Sequence, residues 1–343
     1  MKLLFRIGKS KMPLLFVPGI CILLGLCIAT TSAAVHDNAV YAAANGKKYI
    51  KWVDFGISCT AMKQAMKYDV DSQSQKVKIN WIELLAAAAL QNGGKFADKR
   101  CDCIDKVAKR LQDGETISDI VGDSKYFDYY KQAYTAVLGG MLGEYKREVY
   151  DESAANGKKT VTGYGLKAYS PIAAGRGFSH SDDFGNSRNY GYRRTHKGND
   201  LMGTIGTPII AVEDGIIECM GWNQYGGWRI GIRSLDFKRY YYYAHLRKGH
   251  PYVNTLKEGM EVKAGDVIGY LGMTGYSSTE DYNGMNVPHL HFGIQLIFDE
   301  SQKDGNGEIW IDAYQIVNFL QQNKSAVYKD EQSGDYVRKY KSY

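Results

Sequence analysis

The sequence predicts an α+β chain of several domains: an N-terminal export or membrane segment, a small all-helical domain, and a mostly antiparallel β domain with a substrate groove. Three observations predict it. Basic residues followed by an uncharged apolar run open the chain, helix formers with apolar helical spacing follow to about residue 150, and short strands between glycine turns come after that. The expected boundaries are 1–44 for the signal peptide or anchor, 47–150 for the helical domain and 151–165 for a linker. The β domain then runs over 166–320 and a polar tail over 321–343.

The first segment carries Lys2, Arg6, Lys9 and Lys11 with no acidic residue, then the uncharged, mostly apolar stretch from Met12 to Val35. That is the layout of an export signal, and the stretch is also long enough to span a bilayer. Pro18, Gly19 and Gly25 weaken it as a permanent helix, while Ser32–Ala34 and Ala42–Ala44 offer cleavage sites. A cleaved signal and a retained anchor therefore stand as alternatives, and either puts the remainder outside the cytoplasm, in the cell wall or at the outer face of the membrane. Four of the formal +6 charges belong to the first eleven residues, which leaves +2 for the rest and suggests no nucleic-acid partner. Cys59 has Cys101 and Cys103 as candidate partners in an oxidising compartment, with connectivity open.

In the helical domain, Trp81 to Leu90 is rich in helix formers and stops near Gly93-Gly94. Ile104, Val107, Ala108 and Leu111 mark one apolar helix face, and Tyr130, Ala133, Tyr134, Val137 and Met141 mark another on a helix expected from Tyr126 to Tyr145. Those tyrosines read as core. The linker is expected through Ala-Ala-Asn-Gly-Lys-Lys, from about Glu152 to Gly165.

In the β domain, Pro208–Val212, Ile216–Glu218, Trp228–Ile232 and Val267–Leu271 read as short strands, with turns at Glu213-Asp214-Gly215 and Ala264-Gly265-Asp266. Loops at 179–192 and 275–286 are expected to wall a groove. An amphipathic helix over Ile311 to Leu320 closes the domain, and the last twenty residues read as a loosely held tail.

Six of the seven histidines fall between 180 and 291. In a strand side chains alternate faces, so His289 and His291 project from one side about 6.5 Å apart while Leu290 and Phe292 face the other way. His196 and Asp200 are four apart, but Gly198 and Asn199 between them argue for a loop. His245 ends the strand-like run Tyr240–Ala244. Two imidazoles and a carboxylate are the usual protein ligands of a catalytic zinc, and two further histidines suit proton transfer beside it. By spacing alone either His289 or His291 serves as the ligand. His180 and His250 read as surface histidines, and His180, Asp182 and Asp183 as solvated loop residues.

The segment from about residue 191 to 298 closely resembles the lysostaphin/LytM-type zinc endopeptidases that cut peptide bonds in bacterial peptidoglycan. The residues that carry the resemblance are Thr195 to Asp200, Gly206 to Ala211, Asp214-Gly215-Ile216, Tyr243 to Leu246, Gly259 to Gly269, Gly272 to Gly275 and Pro288 to Phe292. It implies that His196, Asp200 and His291 bind one zinc ion and that His245 and His289 are catalytic. It also implies a groove that binds the stem or cross-bridge peptides of peptidoglycan. The alternative is a non-catalytic wall-binding or scaffold protein on the same fold, against which the intact set of five residues argues. The hairpin-like run Val262–Gly269 lacks the Met-Lys-Met of a biotinyl or lipoyl carrier.

Overall fold

The computed structural model describes residues 40–44, 47–189, 193–305 and 307–343. The apolar segment Met12–Val35 lies outside the described residues; among those described, no helix is long and apolar enough to cross a membrane. Ala42–Ala44, one candidate cleavage site, lies in β1 (Val40–Ala44), which pairs with β2 (Lys47–Ile50).

Five helices follow: α1 (Cys59–Ser72), α2 (Trp81–Asn92), α3 (Asp102–Gln112), α4 (Ile117–Val121) and α5 (Lys125–Leu138). Their ends are set locally. The side chains of Ser58 and Asn80 accept backbone N–H groups of the first turns, Thr116 and Asp119 form a capping box, and Gly93 ends α2 in the left-handed conformation at φ 65°. Helix α2 is the hub. Leu84, Leu85 and four successive alanines, Ala86 to Ala89, are buried, and the small side chains let the neighbouring helices approach closely. Ile104, Val107, Ala108 and Leu111 of α3 and Tyr130, Ala133, Tyr134 and Val137 of α5 are buried, as their spacing predicts.

Three expectations for this half need correction. The last helix stops at Leu138, not Tyr145, because Gly139-Gly140 follows and the next residues alternate as a strand. The segment is therefore not all-helical. Residues 151–165 are no linker: β3 (Leu142–Tyr150) pairs along its whole length with β4 (Lys158–Leu166), and 151–157 is their turn. Asp151 stabilises that turn by accepting the Ser153 backbone N–H at 2.9 Å, and Gly157 supplies φ 65°. Cys101 and Cys103 pair with each other, their Cα atoms 5.3 Å apart, and Cys59 remains a free thiol.

The second half supplies β5 (Ser187–Asn189), β6 (Arg193–Thr195), β7 (Asn199–Met202), β8 (Pro208–Ile210), β9 (Gly215–Asn223) and β10 (Gly227–Ser234). After these come β11 (Arg239–Ala244), β12 (Glu261–Val262), β13 (Val267–Tyr270), β14 (His289–Leu296) and β15 (Ile309–Ile311). An antiparallel sheet runs β12-β9-β10-β11-β14-β15, and β7 pairs with β14 beside β15. Strand alternation sorts the tyrosine run: Tyr241 and Tyr243 are fully buried, whereas Tyr242 faces the groove. Phe292 packs against both inward tyrosines.

Helix α6 (Tyr314–Leu320) packs against α1, and Phe319 stacks on Trp81 of α2. A fully buried Arg239 joins the halves. It donates to Glu213 at 2.8 and 2.9 Å and to the carbonyl of Ala136 at 2.7 Å, filling acceptors that the end of α5 leaves open. The last residues are not a loose tail, which is a further correction. β16 (Val327–Lys329) pairs with β17 (Tyr336–Arg338), and Asp335 is buried and accepts from Tyr270, from the Asn254 backbone and from His250. Polar residues hold this segment by satisfying buried partners, which hydrophobic patterning cannot reveal.

Candidate metal centre and active site

The site is built on the register of three strands. Within β14 side chains alternate, so Leu290 and Phe292 point into the core and are fully buried while His289 and His291 face the groove. Strand β7 places Asp200 opposite His291, and β11 places Ala244 opposite it on the other side, so that His245 emerges at the strand end. His196 arrives from the turn before β7. That turn passes close over β14 because residue 198 is glycine: a Cβ there would lie 2.6 Å from the His291 ring.

Three ligand atoms meet. His196 Nε2 is 3.0 Å from Asp200 Oδ1 and 3.1 Å from His291 Nδ1, and His291 Nδ1 is 2.9 Å from Asp200 Oδ1. Ligands 2.0–2.1 Å from a tetrahedral zinc stand about 3.3 Å from one another, so this triangle has nearly the size the ion needs. The donor set of two imidazole nitrogens and one carboxylate oxygen fits zinc as well, and among the described residues these three form a group that could hold a metal ion. Behind them, His196 Nδ1 lies 3.2 Å from the carbonyl oxygen of Asp183, which leaves Nε2 with its lone pair forward. Arg188 bridges the Asp183 carboxylate and, at 3.4 Å, the second oxygen of Asp200. Burial by itself would raise the Asp200 pKa, but hydrogen bonds and charge from His196 and His291 outweigh it and hold it well below the carboxylate range.

His245 and His289 stand beside this triangle with ring centroids 4.8 Å apart. Each directs Nδ1 at a backbone carbonyl, His245 at Thr274 and His289 at Val287, both at 2.8 Å. A carbonyl only accepts, so each ring donates from Nδ1, and in a neutral ring Nε2 is then the nitrogen with the lone pair. Burial pushes the His245 pKa well down, helped by His289 and His291. His245 also has φ 61°, a left-handed conformation unusual for a residue with a Cβ, and its backbone N–H bonds to the Gly226 carbonyl at 2.7 Å.

All five sequence-selected residues line one cleft of about 770 Å³. Arg188 of the first expected wall loop and Tyr276, Met285 and Asn286 of the second line it too; residues 190–192 lie outside the described residues. Sequence reading missed Arg188, Arg194 and Tyr276, whose only signal was position in or near a wall loop, and Tyr225, which lies in the turn between β9 and β10 and carried no signal. It took Asp183 for a solvated residue, whereas its carbonyl and carboxylate brace His196 and Arg188. His180 and His250 are not isolated on the surface. His180 bonds Asn199 at 2.6 Å and His250 bonds Asp335 at 2.7 Å, and neither joins the five.

Residues 194–304 match Peptidase family M23. An L-Ala–D-Glu endopeptidase of Bacillus subtilis is 37% identical over 124 residues, which is 36% of this chain and 36% of the relative. The glycyl-glycine endopeptidase ALE-1 of Staphylococcus capitis is 41% identical over 98 residues, 28% of this chain and 24% of its own. The chain thus spans about a third or less of these curated relatives. A solved structure from Ruminococcus gnavus, provisionally named a glycyl-glycine endopeptidase lytM, shares the fold over 80% of this chain and 91% of its own, with TM-score 0.51 at 24% identity.

Proposed function

We propose, from the match of residues 194–304 to Peptidase family M23, that the chain is an exported, zinc-dependent endopeptidase that hydrolyses peptide bonds of peptidoglycan. The observation that carries the proposal is the convergence, in one cleft, of a zinc-sized ligand triangle with two histidines whose Nε2 atoms are free to exchange protons. Both named relatives above are endopeptidases. In this reading His196, Asp200 and His291 hold one zinc ion, and His245 and His289 are the catalytic residues.

Zinc supplies a Lewis acid and ionises water near neutral pH. The protein does the rest. Arg188 restrains Asp200 through its second oxygen, which leaves Oδ1 for the metal. His245, held through Nδ1 by the Thr274 carbonyl, turns Nε2 to the cleft, where it would accept a proton from the attacking water. A histidine protonated in that way then donates to the oxyanion or to the departing amine nitrogen, so the pair moves one proton from nucleophile to leaving group. The cleft is open along the face of β11 and β14, where an extended peptide fits. Export is proposed from the basic and apolar segment at the N-terminus, which either is removed or holds the protein at the membrane.

The test is digestion of purified peptidoglycan by the full-length chain, with mass spectrometry of the products, with and without a metal chelator and beside His289→Ala. Chelator-sensitive release of new amino termini, lost on His289→Ala while zinc content is kept, supports the enzyme. A folded, zinc-loaded protein that cuts no wall type refutes it in favour of a scaffold.

A further inference from the structure

The groove carries more positive charge than the chemistry uses. Among the described residues that line it, Asp200 is the sole acid, while Arg188, Arg194 and Lys197 are basic. Two of these cations are committed elsewhere: Arg188 to Asp183 and Asp200, and Lys197 to Glu308 at 2.8 Å. Arg194 is different. It projects from β6 over the ring of Tyr276, with the guanidinium carbon 4.7 Å from the ring centroid. Among the described residues its Nε, sealed from solvent, has no hydrogen-bond partner, and no ion pair reaches the side chain. Because Nε is covered, a ligand would be met by the terminal Nη groups; Arg194 lines the cleft, and a planar guanidinium offers a carboxylate two parallel hydrogen bonds.

Its position fixes where that carboxylate would sit. Tyr276 stacks on His245 with ring centroids 5.8 Å apart, so the Arg194 guanidinium lies within about 10.5 Å of the His245 ring. An extended peptide advances about 3.3 Å per residue, which places the guanidinium about three residues at most from the bond that His245 serves. We infer that Arg194 is a specificity-determining residue that binds a free carboxylate of the substrate peptide, borne within about three residues of the scissile amide. The favoured substrate is then an acidic stem peptide, not an all-glycine bridge, which has no side-chain carboxylate to offer. This rests on the endopeptidase reading above and narrows it.

Three synthetic peptides, each capped at its C-terminus as a carboxamide, test the inference against the full-length zinc-loaded chain: L-Ala-γ-D-Glu-L-Lys with the D-Glu α-carboxylate free, the same peptide with that carboxylate as a carboxamide, and pentaglycine. Binding is measured by calorimetry, and hydrolysis as kcat/KM. The free acid is expected to bind and react at least tenfold better than the amide. Arg194→Gln should erase that preference by weakening the acid alone, chiefly in KM, and Arg194→Lys should restore part of it. Equal handling of acid and amide by the unaltered protein overturns the inference, as does an equal loss on both peptides in Arg194→Gln, which would mark a structural role. Arg194-dependent binding of the acid without cleavage would uphold carboxylate recognition and refute the endopeptidase. Cleavage without any acid preference would do the reverse.

Discussion

Gly198→Ala is the sharpest probe of the proposed metal centre. The added Cβ would meet the Cε1 and Nε2 atoms of His291 at 2.6 Å and the carbonyl oxygen of Phe292 at 2.8 Å, against an ordinary contact that begins at 3.4 Å. About 0.8 Å must be recovered. The Phe292 carbonyl belongs to β14, held between β11 and β7, so the imidazole of His291 is the softer neighbour and moves. Metal–ligand distances tolerate only about 0.2 Å, so a ring displaced by several times that costs roughly 10- to 100-fold in zinc affinity. That is about 1.4–2.7 kcal/mol. Overpacking adds about 1–3 kcal/mol of destabilisation. Zinc affinity is read by competition with a chromogenic chelator, and folding by urea unfolding of the metal-free protein. If the alanine variant unfolds near the original midpoint and holds zinc as tightly as before, the claim that glycine is required by the approach of this turn to His291 is wrong.

Three further substitutions probe the surroundings. Arg239→Met strands a buried Glu213 and should cost about 3–5 kcal/mol in urea unfolding; Arg239→Met with Glu213→Gln should recover a large part, since the charge is then gone. Asp312 has its pKa raised to about 6, chiefly by burial and then by Asp182 and Asp183. A raised carboxyl contributes fully below its ordinary value of 3.8 and has lost that contribution once pH passes 6, so Asp312→Asn should stabilise the protein by about 1 kcal/mol more at pH 8 than at about pH 3. For Asp335, burial would raise the pKa, but bonds from Asn254, His250 and Tyr270 prevail and lower it. Its contribution is therefore present above the usual carboxyl pKa and fades in acid: Asp335→Asn should cost about 1–3 kcal/mol at pH 7 and progressively less below pH 4.

Much of the site was legible because its positions follow strand periodicity and the order of motifs along the chain. His289 and His291 share a face simply because they are two apart, and Leu290 with Phe292 had to take the other. The helix face of Ile104, Val107, Ala108 and Leu111 was legible for the same kind of reason. Hydrogen-bonded polar segments were not. The 142–166 hairpin has half-exposed strands with no strict apolar alternation, and the C-terminal segment is anchored by Asp335, Ser325 and Arg338 rather than by a hydrophobic face.

By itself the sequence determined which residues are available for chemistry and which local elements carry them: a histidine pair on one strand face, a glycine turn between His196 and Asp200, and capped helices whose apolar stripes demand partners. Only the tertiary structure decided their mutual geometry. The pairing of β7 with β14 brings His291 Nδ1, and not His289, against Asp200 Oδ1. The carbonyls of Thr274 and Val287, far apart in the chain from His245 or invisible as donors and acceptors in a string of letters, fix both tautomers. Strand pairing and buried hydrogen bonds depend on contacts between distant residues, and local pattern contains no term for those.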